Sequence, residues 1–279
     1  MAESPPLDRD AVRRALEEDR AADDVTTRLL GAAGRRPACA RFVAEGDFVV
    51  AGLPTLALVY AELDPEARVA AQCAEGDWVR AGTVLAHVGA TATAVLAGER
   101  VALNFLQRLS GIATVTRRVV DTVAGTGARI THTRKTTPGL RALEIYAVTM
   151  GGGVENRRSL GDAVLWKDNH WALLGSEDLA GALRAAPAGL PLIVEVENDA
   201  QLERALAAGV RHILVDNQPP ERVAAWVRRT GPEVTIQASG GIRPETARAY
   251  AEAGAHLISI GALTHSAQAA PIRVDVDRA

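Results

Sequence analysis

The chain has 279 residues and a formal net charge of −3. That excludes a global basic field of the kind that captures nucleic acid, so any anion site has to come from local clustering of Arg and Lys. Hydrophobic residues make up 48 % and charged residues 23 %, the make-up of a globular chain of one large or two smaller domains. Cys39 and Cys73 lack CxxC spacing and read as reduced core residues. No apolar run is long enough to span a bilayer and no apolar leader opens the chain, so a cytoplasmic protein without a membrane partner is expected.

In chain order, 8–30 carries an amphipathic helical pattern that breaks at Asp24-Val25-Thr26-Thr27. Residues 38–98 change rhythm. Short apolar runs at 41–44, 48–51, 69–72 and 83–88 are separated by Gly- and Asp-bearing turns, which suggests a small mixed sheet. A helix over 53–63 is expected to lie on it. Residues 98–123 read as one long helix, or two with a kink at Gly111, linking two domains. The boundary is set at 110/111, giving domains 1–110 and 111–279.

After Gly125 apolar strands alternate with helices. The strands are expected over 128–133, 163–167, 192–197, 212–216, 234–238 and 256–260, and the helices over 140–151, 177–186, 200–208, 220–230 and 244–253. Continuous apolar strands alternating with helices mean parallel β/α units. Six units are fewer than the eight of a closed barrel. An incomplete barrel and an open doubly wound sheet are both compatible with the pattern.

Chemistry in such folds collects at the carboxyl ends of the strands. Here those ends read His132-Thr133-Arg134-Lys135, Lys167-Asp168-Asn169-His170, Glu195-Val196-Glu197, Asp216-Asn217, Ser239-Gly240-Gly241 and Gly261-Ala262. The first two are cationic and suit a small polyanion. The middle two are anionic, with no Cys/His cluster, and suit Mg²⁺ or ribose hydroxyls. The last two are glycine loops that suit a phosphate. Glu195 and Glu197 alternate with Val196, so both face one side. In a closed barrel that side is the interior, where an unpaired carboxylate is costly. Together the strand ends point to transfer of a phosphosugar.

The string Thr133-Arg134-Lys135-Thr136-Thr137-Pro138-Gly139-Leu140-Arg141, with Gly151-Gly152-Gly153, Lys167-Asp168-Asn169-His170, 99–104, 109–114 and Ser239-Gly240-Gly241-Ile242, resembles the quinolinate phosphoribosyltransferase family. The resemblance runs over nearly the whole chain. It implies an incomplete parallel α/β barrel with an N-terminal open-faced α/β sandwich domain, and a homodimer, or an assembly of such dimers up to a hexamer, whose active sites are shared across subunits. It also implies phosphoribosyl transfer from phosphoribosyl pyrophosphate (PRPP) to quinolinate with decarboxylation, in NAD biosynthesis. By motif position, Arg100 reaches into the neighbouring subunit's pocket. Arg134, Asn156, Arg157 and Lys167 meet the pyridine carboxylates, and Lys135 faces both substrates. Glu197 and Asp216 hold the ribose hydroxyls and Mg²⁺, and Ser239, Gly240, Gly241 and Gly261 take the 5′-phosphate. Lys135, Glu197 and Asp216 are the catalytic candidates.

Several positions depart from the family pattern. Asn156 stands where a histidine is usual, beside Glu155. Ile145 replaces a lysine, Gln237 a glutamate, and Trp166 and Trp171 replace smaller aliphatics. A Glu155 that faced the pocket would repel a dicarboxylate and favour a monocarboxylate or cationic acceptor; one that faced outward would be a solvated acid. A paralogue acting on another N-heterocycle and a catalytically silent homologue are the alternatives this leaves.

Overall fold

The computed structural model describes residues 8–175 and 177–278. It has two compact units that interleave in sequence: residues 1–117, 136–152 and 266–279 form the first, and 118–135 and 153–265 the second. A single cut at 110/111 would fall inside a helix.

In the first unit, α1 (Arg9–Glu18) is capped by the Asp8 carboxylate, which accepts from Ala11 N. The helix expected to reach Asp24 ends earlier, because Arg20 takes a left-handed conformation at φ 53°. The Asp24 side chain then caps the short α2 (Val25–Arg28). The main sheet is antiparallel, in the order β12 (Ile272–Arg278), β1 (Pro37–Ala44), β5 (Val84–Thr91) and β3 (Arg68–Ala71). Residues 48–51 join a separate ribbon instead, β2 (Phe48–Val49) with β4 (Trp78–Val79). Along β1, Ala38, Ala40 and Phe42 alternate inward, and Phe42 meets Tyr60 of α3 (Leu53–Leu63) edge-to-face at 6.2 Å. One face of the sheet is therefore packed, as an open-faced sandwich requires. Cys39, on the other side of that alternation, is exposed, not buried in the core.

The long helix is unbroken over α4 (Ala92–Thr122). Gly111 is no kink: a Cβ there would stand 2.0 Å from the Gln268 carbonyl oxygen, so only glycine lets that backbone approach. Gly151, just past α5 (Arg141–Met150), is likewise pressed against α4, where a Cβ would meet the Ala113 carbonyl at 2.5 Å.

Glu75 is a half-buried carboxyl of this unit, where Glu144 on α5 is the wholly buried one. It accepts from Gly52 N and Leu53 N at the start of α3, and from the Tyr146 hydroxyl at 2.7 Å. Burial raises its pKa above the ordinary 4.5, with the three hydrogen bonds opposing that shift. The folded state therefore holds this proton more tightly than the unfolded chain. Its stabilising effect is complete below the unfolded pKa and fades as pH rises through the folded one. Glu75→Gln keeps an acceptor for α3 but cannot ionise. We expect the stability of the wild type relative to Glu75→Gln to fall as pH rises above 4.5 in paired thermal melts. A constant difference across that range would show the carboxyl unperturbed.

The second unit is a parallel sheet in the order β6 (Arg129–Thr131), β11 (Leu257–Ser259), β10 (Thr235–Ser239), β9 (His212–Asp216), β8 (Leu192–Val196) and β7 (Val164–Trp166). Each strand from β7 to β11 lies beside its successor, and the last pairs with the first. That is barrel winding with one ladder missing, between β6 and β7. A doubly wound sheet would reverse its order at a switch point. The segment after Gly153 occupies the open edge: Val154 bridges to Thr131, and its amide donates to the Ile130 carbonyl. Crossovers are α6 (Asp168–Leu174), α7 (Leu179–Arg184), α8 (Asp199–Ala207), α9 (Pro220–Thr230) and α10 (Pro244–Glu252), and α11 (Ala262–His265) follows β11. Ala163, Ile193 and Leu214, with Leu165, form an apolar layer inside the sheet. Beside it Gln237, fully buried, donates to Ser259 Oγ and shares a hydrogen bond with His212 Nε2 at 2.6 Å. Burial holds the His212 pKa below its usual value, so a neutral amide there suits its neighbour, where a carboxylate would call for a cation.

Candidate functional site

Sheet order sets which strand ends are neighbours. Read across, they run Lys135, Gly261, Ser239-Gly240-Gly241, Asp216, Glu195 with Glu197, and Lys167. All belong to the second unit. Glycine loops and acids occupy the middle, with cations at both flanks.

On the β6 flank, Lys135 is fixed through its backbone. Its amide donates to Thr133 Oγ1, and its carbonyl accepts from Thr264 Oγ1 at 2.8 Å. Its stem crosses Gly261, where an added Cβ would stand 3.2 Å from Lys135 Cδ. The lysine and the last glycine loop are thus one local structure. Arg134 is half-buried, and its Nε is buried with no hydrogen-bond partner. A buried guanidinium donor left unpaired is costly unless an acceptor arrives.

The open edge carries Asn156 and Arg157. The Asn156 amide donates from its backbone N to His132 Nε2 and from Nδ2 to the His132 carbonyl, while Oδ1 accepts from Arg157 N. Asn156 therefore clips Arg157 to β6. Desolvation, and then the like charge of Arg134, lower the Arg157 pKa, against the opposing charges of Glu195 and Asp162. Glu155 pairs with Arg158 at an exposed position. Of the two directions open to it, it takes the outward one.

On the β7 flank, Lys167 Nζ lies 3.3 Å from Glu195 Oε2. Lys167 also opens α6, a helix that sequence patterning missed; the Lys167 amide donates to His170 Nδ1 at 3.0 Å. Glu195 is 6 % exposed, and its backbone carbonyl accepts from Trp171 Nε1. Its pKa is raised by desolvation, countered by Lys167 and pushed further by Asp216, so Asp216 lies near it. Asp216 also accepts from Asn217 Nδ2 at 2.6 Å. Asn217, at φ 52°, packs against Gly240, where a Cβ would strike Asn217 Oδ1 at 2.4 Å. Glu197 is exposed just past β8.

Glu197 and Asp216 end adjacent strands and offer only hard oxygen donors. Among the described residues no group of three or more His, Cys, Asp or Glu side chains gathers as a metal site. Two carboxylates of this kind suit an ion that brings most of its ligands from water and substrate phosphates, as Mg²⁺ does. Arg100 lies elsewhere, exposed on α4 in the first unit, where it lines a surface cavity of about 470 Å³ with Arg20, Asp24 and Arg28. The residue that sequence reasoning left out of the site is Glu195. Its signal was the Glu-Val-Glu alternation, which turns it to the side of Glu197.

Two family models match the chain: quinolinate phosphoribosyl transferase, N-terminal domain, over residues 24–110, and its C-terminal domain over 112–275. The chain is 42 % identical over 275 residues to the nicotinate-nucleotide pyrophosphorylase [carboxylating] of Mycobacterium leprae, covering 96 % of each. It is 40 % identical over 261 residues to the probable enzyme of that name from Bacillus subtilis, covering 93 % of this chain and 90 % of the relative. Among solved structures, NadC from Streptococcus pyogenes superposes with a TM-score of 0.91 at 34 % identity, over 97 % of this chain and 96 % of that one.

Proposed function

The chain belongs to the quinolinate phosphoribosyltransferase family, and from that premise we propose how its residues carry out the reaction. The enzyme transfers the phosphoribosyl group of PRPP to quinolinate with loss of CO₂, giving nicotinate mononucleotide and pyrophosphate for NAD biosynthesis. The observation that carries the assignment to residues is the grouping of Arg134, Arg157 and Lys167 around the acidic strand ends, with Lys135 laid over Gly261.

Arg134, Arg157 and Lys167 hold the two pyridine carboxylates, and the buried Arg134 Nε finds its acceptor there. Asn156 keeps Arg157 in place from behind. Backbone amides of Gly240, Gly241 and Gly261, with Ser239, take the 5′-phosphate. Glu197 and Asp216 hold the ribose hydroxyls, and they are the residues that would hold magnesium, which supplies charge neutralisation for the diphosphate when bound. The bond from the sugar C1 to the diphosphate oxygen breaks, its electron pair leaving with pyrophosphate. The pyridine nitrogen lone pair forms the new bond to C1. Lys135 stabilises the charge growing on the leaving group, and the two carboxylates stabilise the cationic ribose. The resulting pyridinium draws electrons, so the C2 carboxylate departs as CO₂. The pair left at C2 sits beside N⁺ and takes a proton from solvent. The family resemblance supports a second copy of the chain as partner, with Arg100 crossing into its site.

The outward Glu155 removes the reason to expect a cationic or monocarboxylate acceptor. Pyrophosphate release measured with PRPP and a panel of pyridine acids tests this. Release with quinolinate, and at least tenfold less with nicotinate, is expected from the loss of one charge-assisted pair worth about 1.5–3 kcal/mol. Equal rates with both acids would overturn the assignment of paired arginines to paired carboxylates.

A further inference from the structure

Behind the two guanidiniums assigned to the pyridine carboxylates stands a side chain that the reaction does not use. His132 is wholly buried, two residues before Arg134. Its Nε2 accepts the backbone N–H of Asn156 at 3.0 Å, and its carbonyl accepts from Asn156 Nδ2 at 3.4 Å. Asn156 Oδ1 in turn accepts from Arg157 N at 2.8 Å. An imidazole nitrogen that accepts carries no proton. The ring is therefore neutral, with its hydrogen on Nδ1, 3.4 Å from the Thr133 carbonyl oxygen. Further out, Arg157 Nη1 donates to the Ala163 carbonyl at 3.4 Å, and Glu195 and Asp162 favour its charge. Those contacts hold the tip of the arginine, and the His132–Asn156 clip holds its root.

We propose that His132 is a positioning residue that determines specificity. Its unprotonated Nε2 ties the start of Arg157 to the segment that carries Arg134, and so sets the spacing of the two guanidiniums to that of two adjacent carboxylates. This rests on the reading of the site given above and adds to it a residue that touches no substrate. A dicarboxylate has to meet both cations at once, so an error in their spacing loses it one contact. A monocarboxylate takes either cation and does not sense the spacing. Packing alone predicts something else. His132→Phe keeps a buried ring but removes the acceptor of the Asn156 amide, whereas His132→Gln loses the ring but can place its Oε1 where Nε2 stood. If His132 only fills space, phenylalanine is the milder change; if it acts as an acceptor, glutamine is.

The test uses benzene-1,2-dicarboxylate and benzoate as competitors of quinolinate, with kcat and KM measured alongside, in wild type, His132→Gln and His132→Phe. In His132→Phe the Ki of the dicarboxylate and the KM for quinolinate are expected to rise about tenfold, the size of one charge-assisted contact, while the Ki of benzoate stays within about threefold. Saturated kcat should change little, because Lys135, Glu197 and Asp216 are untouched. His132→Gln should stay near wild type in every measure. A phenylalanine variant that binds the dicarboxylate as well as the glutamine variant does, or a loss shared equally by the two competitors, overturns the proposal. Should His132→Phe fail to fold, Asn156→Ala carries the same comparison, because it removes the bond from Oδ1 to Arg157 N. A loss confined to the dicarboxylate supports the clip, and an equal loss for both competitors, or none, overturns it. Either failure leaves the reaction assignment standing. Failure of the wild type to turn over quinolinate removes the reading of the site itself.

Discussion

Lys135→Ala is expected to lower kcat by about two to three orders of magnitude, the usual cost of deleting one group that stabilises transition-state charge, with little change in the KM for quinolinate. The reason for a split lies in how the residue is held. Its loop is fixed by main-chain bonds, amide to Thr133 Oγ1 and carbonyl to Thr264 Oγ1, and alanine keeps both. The side chain itself makes no ion pair among the described residues and is exposed apart from its stem over Gly261. What alanine removes is therefore one exposed positive charge beside the loop assigned to phosphate. That charge matters most when pyrophosphate departs. In the proposed reading the carboxylates, by contrast, are met by Arg134, Arg157 and Lys167, which are untouched. Steady-state kinetics with both substrates varied, alongside a melt to confirm folding, give the answer. A variant within tenfold of wild-type kcat would take Lys135 out of the chemistry.

How much of this was legible in the sequence depends on the range of the interaction. The six parallel strands, α3 and the crossover helices other than α6 declare themselves through period and turn residues, which are local. The choice between barrel and doubly wound sheet does not, because it is decided by the pairing of β11 with β6, strands far apart in the chain. The sequence reading also left out β12, although Ile272, Val274 and Val276 alternate with charged residues. Its partner is β1, at the other end of the chain, and nothing local announces that. Gly111 looked like a hinge because a glycine inside a helical pattern usually weakens it. The carbonyl of Gln268 that requires it is invisible from the neighbouring residues.

The site divides in the same way. Strand-end identities gave the residue types and their sorting into cations, acids and glycine loops. They did not give which side chains were already spent. Glu155 is occupied by Arg158, Asn156 by His132 and Arg157, and Lys167 by Glu195. Arg134 keeps a buried donor with no partner. These pairings turn a list of candidates into an arrangement with a direction of charge.

Mixing two inactive variants is expected to restore activity if the site is shared between subunits as the family resemblance implies. Arg100 lies on α4 in the first unit, whereas Lys167 belongs to the second. In a homodimer of Arg100→Ala every site lacks the arginine supplied by its neighbour. In a homodimer of Lys167→Ala every site lacks the lysine and leaves the buried Glu195 without its cation. A heterodimer places both lesions in one site and leaves the other intact. With random reassortment in a twofold dimer, half of the molecules are heterodimers, and each has one good site of two, so about a quarter of wild-type activity should return. The recovery should appear only after the subunits have been allowed to exchange, and it should peak at a one-to-one ratio. Each variant alone should remain near background: Lys167→Ala leaves the buried Glu195 unpaired, a loss of about 2–5 kcal/mol, and Arg100→Ala removes one charge-assisted contact from every site. Size-exclusion measurements on the same samples would report the assembly directly. A mixture that never exceeds the mean of its parents, in samples shown to have exchanged, would mean that Arg100 acts within its own chain or takes no part in the site.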